Sequence, residues 1–299
     1  MKRNILDCIG NTSLLPLRNI APNILLKIES ENPTGSMKDR MALAMIEAAE
    51  GDGRLKQGGS VVEYTGGSTG VSLSLVCAVK NYALHIVTSD AFSKEKLDHM
   101  RLLGAQLQVI HSDSGGMTEK LTRDMIEAAR VIAEESGAFW TDQMKNTDQL
   151  AAYHRMADEI REQTNGKIDA FVQSVGTAAS LRGIAEGLRR HGALKVVAVE
   201  PAESPVLSGG APGAHKIDGI GAGFIVPMWR HDIADQIERV STDDATAMAQ
   251  RLAREEGLFA GTSTGANVVA ALRVVEQLGP DATIVTIMCD TGMKYLSRH

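Results

Sequence analysis

The chain has 299 residues, 43% of them hydrophobic and 23% charged, which is the usage of a globular protein long enough for two domains. A net charge of −6 and the lack of a long basic run argue against a nucleic-acid surface. No apolar stretch is long enough to span a bilayer, and "MKRNILDCIGNTSLLPL" lacks the unbroken apolar core of a signal peptide, so no membrane partner is expected. The three cysteines, Cys8, Cys77 and Cys289, are widely spaced and follow no metal-ligand pattern. They read as buried thiols of a reducing compartment, which implies a cytoplasmic protein without a metal site.

In chain order, a strand at 23–28 leads through the turn residues "NPTG" to an apolar helical run that begins near residue 37. Ser36 reads as the N-cap of that helix, with Asp39 completing a capping box. Lys38 then falls in the first turn, at the positive end of the helix dipole, where a cation is disfavoured. Strands follow at 60–64, 84–88 and 106–110, separated by helices at 68–81, 93–103 and 117–136. The second half reads as a helix at 146–165, a strand at 169–173, a helix at 178–191 and a strand at 195–200. After the Gly- and Pro-rich stretch 203–235 come helices at 243–256 and 264–278 and a strand at 283–288. Several strands lack alternation, as strands buried on both faces do, so the class is α/β with parallel sheets. The irregular 203–235 stretch is long enough to suggest a functional loop.

Glycine-rich turns at 65–70 (TGGSTG), 174–180 (SVGTAAS), 219–224 (GIGAGF) and 260–265 (AGTSTG) each adjoin a strand end or a helix start. Alone, each is a tight turn; together they suggest several anion sites around one cleft, since such turns expose backbone N–H groups. None is a dinucleotide fingerprint or a P-loop. A lysine whose charge is disfavoured, beside turns suited to a phosphate and a carboxylate, suggests a Schiff base with pyridoxal phosphate; a solvated surface lysine is the alternative.

The ordered landmarks "ESENPTGSMKDR", "EYTGGSTG", "VGTAASLRG", "VEPAESPV", "HKIDGIGAGFIVP" and "EEGLFAGTSTGA" carry a family resemblance. The chain resembles the cysteine synthase (O-acetylserine sulfhydrylase) and cystathionine β-synthase family of fold-type II pyridoxal-phosphate enzymes. The resemblance implies two parallel-sheet lobes of the tryptophan synthase β-like architecture: a smaller mobile lobe at 37–143, and a larger lobe of 1–36 plus 144–299. It implies pyridoxal 5'-phosphate as cofactor, bound to Lys38, which also moves protons at the substrate α-carbon. Gly176, Thr177, Ala178, Ala179 and Ser180 match the phosphate loop, and Ser263 matches the serine that faces the pyridine nitrogen. As the cap of helix 264–278, Ser263 has a second, purely structural reading. Thr65, Gly66 and Thr69, with Gln143, match the grip on the amino-acid carboxylate, and Ser68 stands where an asparagine contacts the cofactor's 3′ oxygen.

The implied reaction is β-replacement on a serine-derived amino acid through an aminoacrylate, with sulfide or a thiol as nucleophile, to make cysteine. Alternatives on the same fold are a β-lyase releasing pyruvate and ammonia, a cystathionine β-synthase-like condensation, and a non-catalytic cofactor-binding regulator. A homodimer is implied as well. The departures fall at the turns: Gly66 and Ser68 interrupt the usual T-S-G-N-T-G, Ala178–Ala179–Ser180 replaces Gly-Gly-Thr, and Asp142 is unusual beside Gln143. Restoring the usual turn with Gly66→Ser and Ser68→Asn is expected to strengthen O-acetylserine binding.

Overall fold

A computed structural model describes residues 2–113 and 118–298. In chain order the first half contains β1 (Leu14–Leu17), β2 (Ala21–Ile28), α1 (Lys38–Asp52), β3 (Ser60–Tyr64), α2 (Ser68–Lys80), β4 (Ala83–Ser89), α3 (Lys94–Leu102), β5 (Gln106–Ile110), α4 (Glu119–Ser136) and β6 (Phe139–Trp140). The second half contains α5 (Leu150–Gln163), β7 (Ala170–Ser174), α6 (Ala179–Arg189), β8 (Lys195–Pro201), β9 (Gln236–Val240), α7 (Thr242–Arg251), α8 (Thr262–Leu278) and β10 (Ile284–Met288). The first residue of the helix expected at 117–136 lies outside the described residues; Thr118 is the N-cap and α4 itself runs Glu119–Ser136.

The chain divides into two compact units. One comprises the segment through Ile9, Lys38–Gln149 and the segment from Lys294 onward; the other comprises Gly10–Met37 and Leu150–Met293. Sequence alone had put both chain ends with the larger lobe and the boundary at 143/144. The ends group with the first unit because Leu6 is buried there and the Lys96 ammonium lies 4.2 Å from the centre of the Tyr295 ring.

The first unit holds a four-stranded parallel sheet in the order β5-β4-β3-β6. Its core joins Val62, Tyr64 and Val87 of the strands to Leu121, Met125 and Ala129 of α4. The second unit holds a six-stranded sheet in the order β1-β2-β10-β7-β8-β9, parallel except for the antiparallel β1–β2 pair. Every residue of β7 and β10 is buried, which explains why their sequences run apolar without alternation. Residues 202–235 contain no helix or strand, as their composition predicts.

The cysteines depart from expectation: Cys77 is buried, but Cys8 and Cys289 are only half-buried. Burial pushes the Cys77 thiol up to about 12, so it stays protonated and unreactive at neutral pH. Among the described residues, no helix is long and apolar enough to cross a membrane.

Candidate active site

In an open parallel sheet, the loops at strand carboxyl ends meet helix N-termini, and the glycine turns at 65–70, 174–180 and 260–265 lie at such places; the one at 219–224 does not, since it sits within 202–235, away from any strand end or helix start. In the first unit, β3 ends at Tyr64 and the chain turns through Thr65, Gly66 and Gly67 into α2. The Thr65 N–H donates to the Val87 carbonyl (2.9 Å), and its hydroxyl accepts from the Gly67 N–H (3.1 Å). Gly67 occupies the N-cap of α2 and supplies no side-chain cap, so that helix start has no hydroxyl or carboxylate of its own to occupy it. The Thr69 hydroxyl donates to Gln143 Oε1 (2.8 Å), and both residues are buried. Four of the expected binding residues, Thr65, Gly66, Ser68 and Thr69, thus sit on one turn, with Gln143 bonded to its last member.

Beneath this turn lies Glu63, fully buried on β3. Its carboxylate accepts from the Thr141 hydroxyl (2.6 Å), the Gln143 N–H (3.0 Å) and the Tyr64 N–H (2.9 Å). Burial outweighs these three donors and pushes its carboxyl up to about 7, with the nearby Asp142 charge adding to the rise. Glu63 therefore fixes the backbone that carries Gln143. Ser68 Oγ accepts from the buried Lys294 Nζ (3.2 Å), so a cation stands behind the residue that replaces the usual asparagine.

Lys38 is the first residue of α1 and is half-buried. Ser36 lies two residues before the helix and forms an isolated bridge with Asp290, and Asp39 Oδ1 accepts from the Ser72 hydroxyl (2.6 Å). Asp39 thereby ties the start of α1 to α2.

In the second unit, β7 leads into the turn Val175–Ala178 and then α6. The residue before α6, Ala178, has φ 67°, the left-handed conformation that glycine adopts freely and that costs an alanine roughly 1–2 kcal/mol. The N-cap residue offers α6 no side-chain bond, and the Thr177 hydroxyl accepts weakly from the Ala179 N–H (3.4 Å). Thr177, Ala178, Ala179 and Ser180 are buried, and Gln173 Nε2 donates to Ser180 Oγ (2.7 Å). Gly176 packs so closely on the next glycine turn that a Cβ there would lie 2.4 Å from the Gly219 carbonyl oxygen.

Helix α8 is locked to the same strand ends. Asn267 Oδ1 accepts from the Ser174 N–H (2.7 Å), its Nδ2 donates to the Ile287 carbonyl (2.9 Å), and Thr264 Oγ1 accepts from the Cys289 N–H (3.2 Å). Ser263 is buried in the first turn of α8, and Gly261, not Ser263, occupies the capping position. The capping alternative for Ser263 is thereby removed.

A sequence model of the family described as "Pyridoxal-phosphate dependent enzyme" matches residues 5–290. The chain belongs to that family. Among curated relatives, a cysteine synthase of Staphylococcus aureus is 40% identical over 98% of this chain and 95% of its own length. The structure of O-acetyl serine sulfhydrylase isoform 3 from Entamoeba histolytica superposes with a TM-score of 0.92, at 37% identity over 99% of this chain and 90% of that one. A hydrogen sulfide-producing enzyme from Fusobacterium nucleatum gives 0.91, at 35% identity over 99% of this chain and 100% of that one. The α/β architecture with parallel sheets is that of these fold-type II pyridoxal-phosphate enzymes.

For a pyridoxal-phosphate enzyme of this family, three residues of the first unit escaped the sequence reading. Glu63 lies inside the quoted motif "EYTGGSTG" and Lys294 in the segment "DTGMKYLS" at 290–297, but neither carries a signal of what it touches. Phe92, whose ring lies on Gly66, has no motif at all.

Proposed function

We propose that this pyridoxal-phosphate enzyme makes cysteine by β-replacement, exchanging the acetate of O-acetylserine for sulfide. The observation that carries this reading is the match to a cysteine synthase at 40% identity over nearly the whole chain. The residues present fit the cofactor: α6 begins without a side-chain bond from its N-cap residue, on a glycine-bearing turn, as a phosphate-binding helix start should. Bound pyridoxal phosphate supplies the electron withdrawal that loosens the α-hydrogen of an amino acid.

The protein's own residues do the rest. Lys38 Nζ would hold the cofactor in the resting enzyme; once the substrate amine has displaced it, the freed amine would take the proton from the substrate α-carbon and return it there after sulfide has taken the place of acetate at the β-carbon. Gly176, Thr177, Ala178, Ala179 and Ser180 hold the phosphate with backbone N–H groups and hydroxyls. Ser263 offers its hydroxyl to the pyridine nitrogen; a hydroxyl does not keep that nitrogen protonated as a carboxylate would, which suits elimination of a β-substituent. Ser68, with Lys294 behind it, faces the ring oxygen. Thr65, Gly66, Thr69 and Gln143 hold the α-carboxylate, which orients the α-hydrogen toward Lys38. The enzyme is a cytoplasmic homodimer.

Product analysis tests the reading. O-acetylserine with sulfide should yield cysteine and acetate, and cysteine alone should yield little pyruvate. Pyruvate and sulfide from cysteine as the dominant products would make the chain a β-lyase. Retained cofactor with neither product would leave only a cofactor-binding protein.

A further inference from the structure

The turn that this reading assigns to the α-carboxylate has a second layer. An ideal Cβ on Gly66 would fall 1.8 Å from Phe92 Cδ2 and 1.9 Å from Cγ, so the ring lies directly on the Gly66 backbone. The obstruction includes the ring carbon next to Cβ, and not only the far end of a flexible side chain, so it cannot swing clear cheaply. Gly67 differs: a Cβ there would meet only Thr65 Oγ1, at 3.9 Å. Phe92 is itself anchored, because it packs against the core cluster that includes Val62, Tyr64 and Met125. The segment that carries it is pinned as well: the Phe92 N–H donates to the Ser89 carbonyl (3.3 Å), and Asp90 Oδ1 accepts from the Ser112 N–H (2.8 Å). Gly66 is buried under this lid.

We propose that Phe92 is a specificity-determining residue, whose ring replaces a side chain at position 66 and holds the carboxylate turn in its binding shape. Two consecutive glycines, Gly66 and Gly67, would otherwise leave the turn with wide backbone freedom, and freedom lost on binding weakens affinity. With the ring in place, the turn grips a carboxylate through backbone N–H groups together with Thr69 and Gln143. No hydroxyl from residue 66 takes part. On this reading the double change Gly66→Ser with Ser68→Asn weakens substrate binding instead of strengthening it, because the side chain added at 66 strikes the ring. Residues 66 and 92 form one unit of choice: glycine with a large ring, or a side chain at 66 with a small residue at 92.

This proposal rests on the reading of the turn as the carboxylate site, and the experiment separates the two. The holoenzyme is titrated with L-alanine, which has no leaving group, and with L-alaninamide, which lacks the charged carboxylate; binding is followed by the cofactor's visible absorbance. Gly66→Ser and Phe92→Ala should each weaken L-alanine binding about tenfold, and the double variant should recover to within about threefold of the parent. L-alaninamide binding should move little in all three, which a general loss of folding would not produce. If Gly66→Ser does not fold, recovery of folded, cofactor-bearing protein in the double variant reports the same coupling. Losses that simply multiply in the double variant, or a double variant that also fails to fold, would overturn the role of Phe92. Thr69→Val tests the underlying reading: unchanged L-alanine affinity would show that the turn does not hold the carboxylate. A loss there beside an uncoupled 66/92 pair would remove the Phe92 proposal alone.

Discussion

The helices α4 and α7 begin on side chains that serve the helix, whereas α2, α6 and α8 begin on N-cap residues that offer no side-chain bond. Thr118 accepts from the Leu121 N–H (3.1 Å) and Ser241 from the Asp244 N–H (3.1 Å), each filling one place that a helix start leaves vacant. Gly67, Ala178 and Gly261 stand at the same position without a side-chain bond. The omitted cap forgoes about 1 kcal/mol of local stability at Ala178 and roughly a few tenths of that at Gly67 and Gly261, since glycine is itself a tolerable N-cap. The three open starts coincide with three of the glycine turns, so the loss falls where an anion or a polar cofactor atom would restore it. Helix α3 follows neither pattern: Ser93 stands at its N-cap, but its buried hydroxyl has no hydrogen-bond partner among the described residues.

The comparison breaks most easily at Gly176. Alanine there would bring a Cβ to 2.4 Å from the Gly219 carbonyl oxygen, a backbone atom that cannot step aside. Gly176→Ala should therefore lose cofactor on gel filtration while far-ultraviolet circular dichroism stays native. Full retention of cofactor would mean that the α6 start is not the phosphate site.

The second effect is a pH dependence beneath the α2 turn. The Glu63 carboxyl rises from 4.5 in an open chain to about 7 in the fold. Between those values the native state binds a proton that the unfolded chain has released, so rising pH favours unfolding across this window and adds nothing beyond it. The contribution is on the order of 3 kcal/mol, complete below the lower value and gone above the upper one. Glu63→Gln should flatten the corresponding slope in urea-unfolding free energies. The variant should also raise the Michaelis constant, because an amide has one acceptor oxygen and cannot serve both the Tyr64 N–H and the Thr141–Gln143 pair, as the two carboxylate oxygens do.

Filling an open start sharpens the contrast further. Gly67→Asp adds a cap where a Cβ has room, so α2 should gain stability, yet its charge competes with the substrate carboxylate. Loss of about 1.5–3 kcal/mol in binding, roughly ten- to a hundredfold, should accompany the gain in melting temperature. The mirror experiment, Ser241→Ala, is the smallest effect. It should cost about 1 kcal/mol of stability and leave substrate and cofactor affinities unchanged.

The α/β class and most elements were legible because buried parallel strands and amphipathic helices write long, regular patterns. The strands missed were β1, β6 and β9. Phe139–Trp140 is too short to show any period, and "QIERV" is only partly buried at the sheet edge. Lys38, Thr69, Gln143 and the 176–180 turn could be nominated because their neighbours in sequence form recognisable motifs. Glu63, Lys294 and Phe92 could not, since their roles depend on what the fold lays against them. The contact of Asp39 was illegible for the same reason: its carboxylate accepts from Ser72 on another helix. Local sequence describes a helix start well only when no distant residue claims its side chains.

Reduction of the holoenzyme with borohydride, followed by peptide mass mapping, tests the central claim most directly, because it asks which nitrogen holds the cofactor. The reduced cofactor should appear on the peptide containing Lys38, and Lys38→Ala should show no such adduct, no visible cofactor band and no turnover. A reduced cofactor on any other lysine, or an adduct that persists in Lys38→Ala, would contradict the assignment.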